Sequence, residues 1–556
     1  MSKNTRPGKT RSVLGWIGAT CATAILVAAC SGDPQPPPAK TDYGPRPPMP
    51  DTAAQTGAQR LTVPQYGNAI RDIFGGDINV PTAIETDAAL DGFVAIGASI
   101  STISPSGIEK YEKAAFAIAQ QVIADDAHKA VVLQCKPTGA ADAVCAKETV
   151  TRLGRLLYRR PLTDPEITRL TTIFMEAAAA LGGFDRGLEY AIAAMLQSPH
   201  FLYRPQVGEP DPVIAGQLRY TSLEMASRLS FFLWNSTPDD ALLTAAVKGS
   251  LVDDAGLAEE IDRMLASPKA RAGLRAFVAD WLKLRELDNL NKDPTLFTYF
   301  SPELGPIARE ETLRLFEHVV FDLDTDVREV MTTRQTFVNP KLASMYMIIS
   351  PADEGFSLVE LPEDSPRVGL LGHVSILALN SHPRSTSSTL RGRFIRESLL
   401  CDVIPPPPAN VNTGLPEPSP NARTLRERMQ PHLTDPVCKS CHVLMDPIGL
   451  GLENFDSIGR YRTKEVDAVI DASGDLDGVK FQNPRALAQA IHDSYKFAPC
   501  IVRKVFSYAT GFRPTESDRP TLDTLHWDFR AGGYRMQELM KLVASSPAFR
   551  LAQKPQ

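Results

Sequence analysis

The sequence predicts a mainly α-helical protein made of several modules, with one small β-hairpin near its C-terminal end. Apolar residues recur at helical spacing along most of the chain, as in the stripe formed by Tyr66, Ala69, Ile70, Ile73 and Phe74. Alternation of apolar and polar residues, which is typical of strands, is clear only over residues 466–481. A chain of 556 residues is several times the usual domain length, so we expect three or more domains.

Residues 1–29 have the pattern of a secretory signal peptide. The start is basic, with positive charges at Lys3, Arg6, Lys9 and Arg11. Residues 13–29 carry no charge, are too few to span a membrane and end in small residues. Residues 27–30, Val-Ala-Ala-Cys, resemble a bacterial lipobox, which implies cleavage before Cys30 and lipidation of that residue. The alternative is ordinary cleavage beside an incidental cysteine. Ser31 in place of aspartate implies, by the same resemblance, sorting to the outer membrane.

Residues 30–56 are predicted to form an extended tether. Prolines crowd the stretch from Pro34 to Pro50, and such a run favours polyproline II and cannot form a core. At ~3.1 Å per residue, residues 33–52 span roughly 60 Å. We therefore expect the folded part to be held away from the membrane, on whichever face of the outer membrane it lies.

The overall charge limits the partners that we expect. The net charge is −6, and removal of the basic leader makes the remainder more acidic, which argues against nucleic acid as a partner. No later stretch is apolar and long enough to cross a membrane, so the lipid is predicted to be the only membrane anchor.

Helical modules are predicted at residues 57–135, 136–210 and 211–350. Thr62 and Pro64 begin one helix, and residues 111–133 form a second long one. In the next module, residues 163–166 form a capping box with a proline inside the helix start. The third module carries aromatic residues at helical spacing, including Phe277, Trp281 and the run Phe231–Trp234. Such residues belong to a core more often than to a cofactor site. These modules indicate a scaffold.

Residues 351–465 are predicted to contain a linker and the most informative motif of the chain. A proline-rich spacer at residues 404–421 precedes a short helix at residues 423–429. Cys438, Cys441 and His442 then form C-x-x-C-H, the pattern by which c-type haem is attached. Two thiols three residues apart on a helical turn can each form a thioether with a porphyrin vinyl group. The adjacent histidine can then bind the iron.

We therefore predict one covalent haem c, held by Cys438 and Cys441, with His442 as the proximal iron ligand. The motif alone also fits a redox-active pair, a zinc half-site or a disulfide, although zinc would need a second Cys/His pair at knuckle spacing. The opposite ligand is left open. Met445 is one candidate, but it lies about one turn from His442 and so on the same side of the iron. Other candidates are Met429, His432, His373, His382, His492, His526 and Met536. An open position would permit small-molecule chemistry at the iron.

Residues 466–556 are predicted to form the hairpin followed by a helical module. Asp471, Asp475 and Asp477 fit turn positions in the hairpin better than a calcium loop, because the twelve-residue calcium pattern is not met. Helices follow from residue 484 to residue 549, with the last main helix at residues 536–545.

Four further cysteines predict disulfide bonds. Once Cys30 and the two thiols of the motif are assigned, Cys135, Cys145, Cys401 and Cys500 remain in the exported chain. An even number in an oxidising compartment suggests two bonds, with three possible connectivities. We favour Cys135–Cys145 as a local loop and Cys401–Cys500 as a long-range clamp that packs the haem module on the C-terminal helices. Free buried thiols are the alternative.

Several strings, taken in order, resemble one family of large secreted bacterial proteins. The strings are Leu153–Arg155, Arg159–Thr163, Leu229–Trp234, Phe337–Asn339, Arg391–Gly392, Leu400–Cys401 with the proline run, Cys441–Gly449 and Leu452–Asp456. The family is built of five consecutive domains of unknown function and is associated with planctomycete-type cytochrome modules. The resemblance covers nearly the whole chain after the leader. It implies an extracytoplasmic haem protein and defines no substrate.

Taken together, the sequence predicts an exported, lipid-anchored c-type haem protein that transfers electrons or acts as an oxidoreductase in the cell envelope. Its redox partner or substrate is not indicated. Hydrolase elbows, phosphate loops and dinucleotide fingerprints are absent from the sequence. The alternative is a non-catalytic helical scaffold or binding protein at the cell surface, in which Cys438 and Cys441 form a structural disulfide.

Overall fold

A computed structural model describes residues 45–53, 55, 57–405, 419–420 and 422–553. The predicted signal peptide, Cys30 and most of the tether lie outside these residues, as does the spacer from Pro406 to Pro418.

Helices form most of the described chain, so the mainly α prediction is confirmed. In chain order the α-helices are α1 (Val63–Phe74), α2 (Val94–Ala98), α3 (Pro105–Ala124), α4 (Asp126–Val132), α5 (Ala143–Tyr158), α6 (Asp164–Leu181), α7 (Phe184–Leu196), α8 (Pro199–Leu202), α9 (Ser222–Leu233), α10 (Asp240–Val247), α11 (Asp254–Ala266), α12 (Lys269–Trp281), α13 (Leu304–Glu317), α14 (Pro340–Tyr346), α15 (Val374–Leu379), α16 (Ser388–Phe394), α17 (Leu425–Thr434), α18 (Pro436–Gly449), α19 (Pro484–His492), α20 (Phe497–Thr510), α21 (Arg519–Ala531), α22 (Met536–Ser545) and α23 (Pro547–Arg550). Short 3₁₀ or π segments lie at Ser250–Val252, Leu284–Asn289, His318–Leu323, Val327–Met331, Leu370–Gly372, Ile395–Leu399, Leu450–Leu452 and Glu516–Asp518.

Helix boundaries follow local capping signals. Thr62 and Thr163 form the capping boxes that begin α1 and α6, each with a proline in the first turn. The single helix expected over residues 111–133 is instead divided into α3 and α4. Asp125 causes the break: its backbone is extended, and its carboxylate accepts hydrogen bonds from the N–H groups of Ala127 and His128.

The strands are short and antiparallel. They are β1 (Gly57–Arg60), β2 (Tyr203–Gln206), β3 (Glu209–Pro210), β4 (Leu218–Arg219), β5 (Gln335–Val338), β6 (Ser357–Glu360), β7 (Lys464–Glu465), β8 (Ala468–Val469), β9 (Gly474–Leu476), β10 (Val479–Phe481) and β11 (Leu551–Ala552). β1 pairs with β2, β5 with β6, β7 with β8 and β9 with β10, while β4 lies between β3 and β11. The β11–β4 pair brings the end of the described chain beside its middle.

The hairpin predicted over residues 466–481 is two hairpins, β7–β8 and β9–β10. Asp471 stands between them, and its Oδ1 accepts the N–H of Ser473. Asp477 and Gly478 make the second turn with φ of 52° and 93°, the conformation that Asp-Gly favours in tight hairpins. Asp475 accepts the N–H of Gly478 at 2.7 Å, which is the turn role expected for it. Additional strand pairs occur in segments where apolar and polar residues do not clearly alternate.

The described residues from Arg46 onward pack as one unit that contains two large apolar cores. The first core joins the predicted modules 57–135 and 136–210, from Leu61 to Leu202, and also takes in Phe231. The second core runs from Tyr220 to Ala552 and also takes in Phe93. The last three predicted modules therefore share one interior. No helix among the described residues is both long and apolar enough to cross a membrane.

The structure contains both disulfide bonds that the sequence favours. Cys135 is joined to Cys145 and Cys401 to Cys500, with Cα–Cα distances of 5.6 and 5.3 Å. The second bond links the segment after α16 to α20. Residues on both sides, such as Leu399 and Ile501, belong to the second core. The chain that precedes the C-x-x-C-H motif is thus fixed to the C-terminal helices.

Candidate functional site

The C-x-x-C-H motif lies on α18, immediately after α17. Asp435 is the single residue between these helices, and its Oδ1 accepts the N–H of Cys438 at 3.3 Å. Pro436 occupies the first position of α18, where its missing N–H costs no hydrogen bond. The aspartate and the proline therefore begin the helix at a point that places Cys438 in its first turn.

A close crossing with α16 holds α18 in place. A Cβ on Gly392 would lie 1.9 Å from the carbonyl oxygen of Met445, and one on Gly449 would lie 1.8 Å from that of Ser388. Each helix thus contributes a glycine where the backbone of the other passes. The crossing buries Met445 and Asp446 against α16.

Asp446 orients the ring of His442. His442 Nδ1 lies 2.8 Å from Asp446 Oδ2, while Thr389 Oγ1 donates to Asp446 Oδ1 at 2.8 Å. The Asp446 side chain has no exposed surface, and this burial raises the pKa of its carboxyl group. When this carboxylate accepts from Nδ1–H, the lone pair of His442 is on Nε2. That is the arrangement common for metal-binding histidines, in which the second ring nitrogen donates to a carboxylate.

The two thiols of the motif are free. Of the cysteines in the described residues, Cys438 and Cys441 are the ones outside a disulfide, and both are partly exposed. They lie three residues apart and so on neighbouring positions of the helix surface. The structural disulfide of the alternative interpretation is not formed in this structure. Cys441 Sγ lies 3.9 Å from the carbonyl oxygen of Pro405, so the start of the spacer passes this thiol.

Apolar side chains are exposed beside the thiols. Val403 is 89% exposed, Val443 48% and Leu444 37%. Single exposed apolar residues are ordinary, but these three flank one motif on α18 and the spacer that passes it. A porphyrin attached to the thiols would have apolar surface to lie against.

The candidates for the opposite ligand are placed very differently. Met445 is buried at the crossing with α16, three residues after His442 on the same helix. Met429 packs in a small cluster with Leu425 and Leu450. His373 is fully buried elsewhere, with Nδ1 3.0 Å from Thr312 Oγ1. Of the remaining candidates, His492 pairs with the adjacent Asp493 at 2.7 Å.

His432, near the end of α17, lies against His442. The ring centres are 4.7 Å apart, with the planes at 54°. Its Nδ1 is buried and has no hydrogen-bond partner in the described part of the chain, and burial together with the nearby His442 lowers the pKa of the ring. One ligand atom from each of His432, His442 and Asp446 lies within 4.8 Å of the others. This is the group within the described chain whose spacing suits a metal ion.

Sequence reasoning placed His432 among several equal candidates and assigned no role to Asp446. The contact of Asp446 with His442 could have been predicted from the sequence, because residues i and i+4 lie side by side on a helix. The contact of His432 with His442 could not, because it depends on the angle between α17 and α18 at Asp435.

The described residues fit a c-type haem. The thiols are unpaired and accessible, Nε2 of His442 is the nitrogen left for a metal, and its other nitrogen is oriented by a buried carboxylate. A haem face at Nε2 would have to displace the His432 ring, because that ring contacts the His442 ring directly.

Five families match successive parts of the chain, and each is described as a protein of unknown function. They are DUF1587 at residues 59–124, DUF1595 at 145–206, DUF1592 at 220–348, DUF1588 at 367–465 and DUF1585 at 477–549. The C-x-x-C-H motif falls within the fourth match. No curated protein and no solved structure matches the chain significantly.

Proposed function

We propose that this chain, which belongs to the proteins built of these five consecutive domains of unknown function, is an exported c-type haem protein with an electron-transfer or oxidoreductase role in the cell envelope. The order of the five matches confirms the resemblance drawn from the sequence. The descriptions of the families name no reaction, so the proposal depends on the site.

The observation that carries the proposal is the state of the motif on α18. Its two thiols are free while the other four cysteines of the described residues are paired, and its histidine is oriented by a buried carboxylate. When bound, haem c supplies one-electron chemistry at its iron. Cys438 and Cys441 would hold the group covalently, and Nε2 of His442 would be the proximal ligand.

The other residues of the site support that role. Asp446 accepts a hydrogen bond from His442 Nδ1–H, which fixes the ring and increases the basicity of Nε2. Thr389 donates to the second carboxylate oxygen and keeps Asp446 in position. Val443 and Leu444 would cover part of the porphyrin and exclude water from it.

The cellular location is part of the proposal. The leader and the lipobox-like residues 27–30 support export and lipidation at Cys30, with the outer membrane as the destination. Two disulfide bonds outside the motif agree with an oxidising compartment, where c-type haem is also attached.

Haem attachment is tested on the full chain, expressed with its leader in a bacterium that matures c-type cytochromes. We expect one haem per chain by alkaline pyridine spectrum and a c-type α-band in the reduced-minus-oxidised spectrum. The double variant Cys438→Ala/Cys441→Ala should lose both signals. Lys439→Ala, which changes an exposed residue between the two cysteines, should keep them. A wild-type chain that is exported and folded but has no α-band would overturn the proposal.

The anchor is tested separately by fractionation. Cys30→Ser should move the protein from the membrane fraction to the soluble envelope fraction. Cys21→Ser, inside the leader, should leave it in the membrane fraction. Retention of the Cys30→Ser protein in the membrane would contradict lipidation without affecting the haem proposal.

A further inference from the structure

We infer that His432 is the second axial ligand of the iron bound by His442. The inference rests on the proposed function, because it requires the haem. It would make the iron six-coordinate with two histidines and so identify the protein as an electron carrier. A protein that binds small molecules at its haem would instead need an open iron position.

His432 lies directly against the proposed proximal ligand. Its ring centre is 4.7 Å from that of His442, and its buried Nδ1 has no hydrogen-bond partner among the described residues. A buried nitrogen that makes no hydrogen bond is costly, and a metal bond would use such a ring. Cys438 stands between the two histidines in the chain, six residues after His432 and four before His442.

The two histidines are nearly close enough to bind one iron. Metal–histidine bonds are about 2.0 Å, so two axial nitrogens are about 4 Å apart. The ligand atoms of His432, His442 and Asp446 already lie within 4.8 Å of one another. Two rings that point end-on at one iron need their centres about 6 Å apart, so the His432 ring must turn and move outwards by about 1–2 Å.

The end of α17 can allow this movement. Its beginning is fixed by the Thr424 capping box and by the ion pair between Arg428 and Glu465 at 2.8 Å. Pro431 stands inside the helix directly before His432, where it removes one intrahelical hydrogen bond and favours a bend. The last turn can therefore open while the first two turns remain packed.

The competing sulfur ligand is held elsewhere. Met445 is on the same helix as His442, and its backbone is pressed against Gly392. Bringing its sulfur to the opposite face would require the crossing of α16 and α18 to separate. Met429 belongs to the small core that holds the start of α17. His432 is therefore the candidate that needs the least rearrangement.

The test compares haem-loaded full-length variants. Wild-type protein should have a low-spin spectrum in both oxidation states and bind carbon monoxide slowly. His432→Ala should keep one haem per chain, become high-spin and bind carbon monoxide rapidly, and added imidazole should restore the low-spin spectrum. His492→Ala, which removes a histidine paired with Asp493, and Met445→Leu should both retain the wild-type spectrum.

A second variant guards against a misfolded alanine substitution. His432→Met should stay six-coordinate and raise the reduction potential, because methionine opposite histidine raises the potential of a c-type haem. A high-spin wild-type protein, or a His432→Ala protein that remains low-spin with its haem attached, would overturn the inference while the proposed function stands. Failure of the wild-type chain to bind haem at all would overturn both.

Discussion

At the scale of single residues, Asp446 connects the motif to the interior of the protein. Its carboxylate has no exposed surface, and it joins His442 on α18 to Thr389 on α16. A buried carboxylate is stable only when its oxygens are hydrogen-bonded, and both are. The orientation of the proposed iron ligand therefore depends on the packing of two helices rather than on the motif alone.

We predict that Asp446→Asn raises the reduction potential of the haem-loaded protein and lowers its haem content. The amide carries no negative charge, so His442 becomes a less basic ligand and the oxidised iron is less stabilised. Loss of such a partner typically costs 10–100-fold, as an order of magnitude, in metal affinity or activity. Potentiometric titration and a haem assay measure the two effects. Asp493→Asn is the matched control, because it removes the same kind of His–Asp pair at His492. Equal potentials for the two variants would contradict the prediction.

A second buried group of titratable residues lies in the core around Glu311. Its carboxyl accepts hydrogen bonds from Tyr346 and Thr336 at 2.8 Å, and burial raises its pKa to about 7. His373 lies 3.7 Å away, and its pKa is lowered to about 3 by burial and by the nearby Arg367. In the folded protein Glu311 therefore tends to hold a proton and His373 to lack one.

The two shifts predict opposite pH dependences. The raised pKa of Glu311 means that its stability contribution is complete below about pH 4.5 and is lost as the pH rises through about 7. The lowered pKa of His373 means that stability is lost as the pH falls from about 6.5 through about 3. Between about pH 4.5 and about pH 6.5 the two effects on the free energy of unfolding oppose each other. Above about pH 6.5 the effect of His373 is complete, so we expect the free energy of unfolding to decline there because of Glu311.

Glu311→Gln should remove part of that decline. Urea unfolding of wild type and variant at about pH 6 and about pH 8 gives the comparison, because the amide cannot ionise. The variant should lose less stability between the two values than wild type does. Glu354→Gln, at an exposed glutamate, should behave as wild type. An identical pH dependence in Glu311→Gln and wild type would show that Glu311 does not ionise in this range.

At the scale of elements, the crossing of α16 and α18 is the contact most sensitive to a single methyl group. Gly392→Ala would place a Cβ 1.9 Å from the backbone oxygen of Met445, so the helices must separate. We expect the free energy of unfolding to fall by roughly 1–3 kcal/mol, the usual cost of overpacking. Gly76→Ala, whose new Cβ would meet no atom of the described residues within 4 Å, is the control. Urea unfolding measures both, and equal stability would mean that the crossing is not rigid.

Local elements were predictable from the sequence, but their packing was not. Thr62 begins a helix where the cap and first-turn proline predicted, and Thr163 where the capping box predicted, because a cap depends on three or four neighbouring residues. Asp125 divides the single helix expected over residues 111–133. The break was not predictable, because hydrophobic periodicity does not distinguish an aspartate that caps a helix from one on a helix surface. The contact of His432 with His442 depends on the angle at Asp435, which sequence spacing does not encode.

At the scale of the whole molecule, the predicted module boundary at residue 210 lies between the two large cores, whereas the predicted boundaries at residues 350 and 465 lie within the second core. The regions matched at residues 367–465 and 477–549 contribute together to the second core, through residues such as Ile448 and Val502. Cys401–Cys500 joins the same two regions covalently. The proposed haem site is therefore attached to the second core, both by packing and by a disulfide bond. This attachment supplies the rigidity that α16, α17 and α18 lack on their own.

The two disulfide bonds should contribute unequally to this scaffold. In the chain-entropy model the stabilisation grows with the length of the closed loop, and the sequence separations are 99 for Cys401–Cys500 and 10 for Cys135–Cys145. These loops correspond to about 4.7 and about 2.7 kcal/mol. We expect Cys401→Ala/Cys500→Ala to lower the urea midpoint more than Cys135→Ala/Cys145→Ala does, and to reduce haem content as well, because the first pair fixes the chain on which the motif lies. A lower urea midpoint for Cys135→Ala/Cys145→Ala than for Cys401→Ala/Cys500→Ala would contradict the prediction. It would mean that local packing at α5 contributes more to stability than the long-range disulfide bond does.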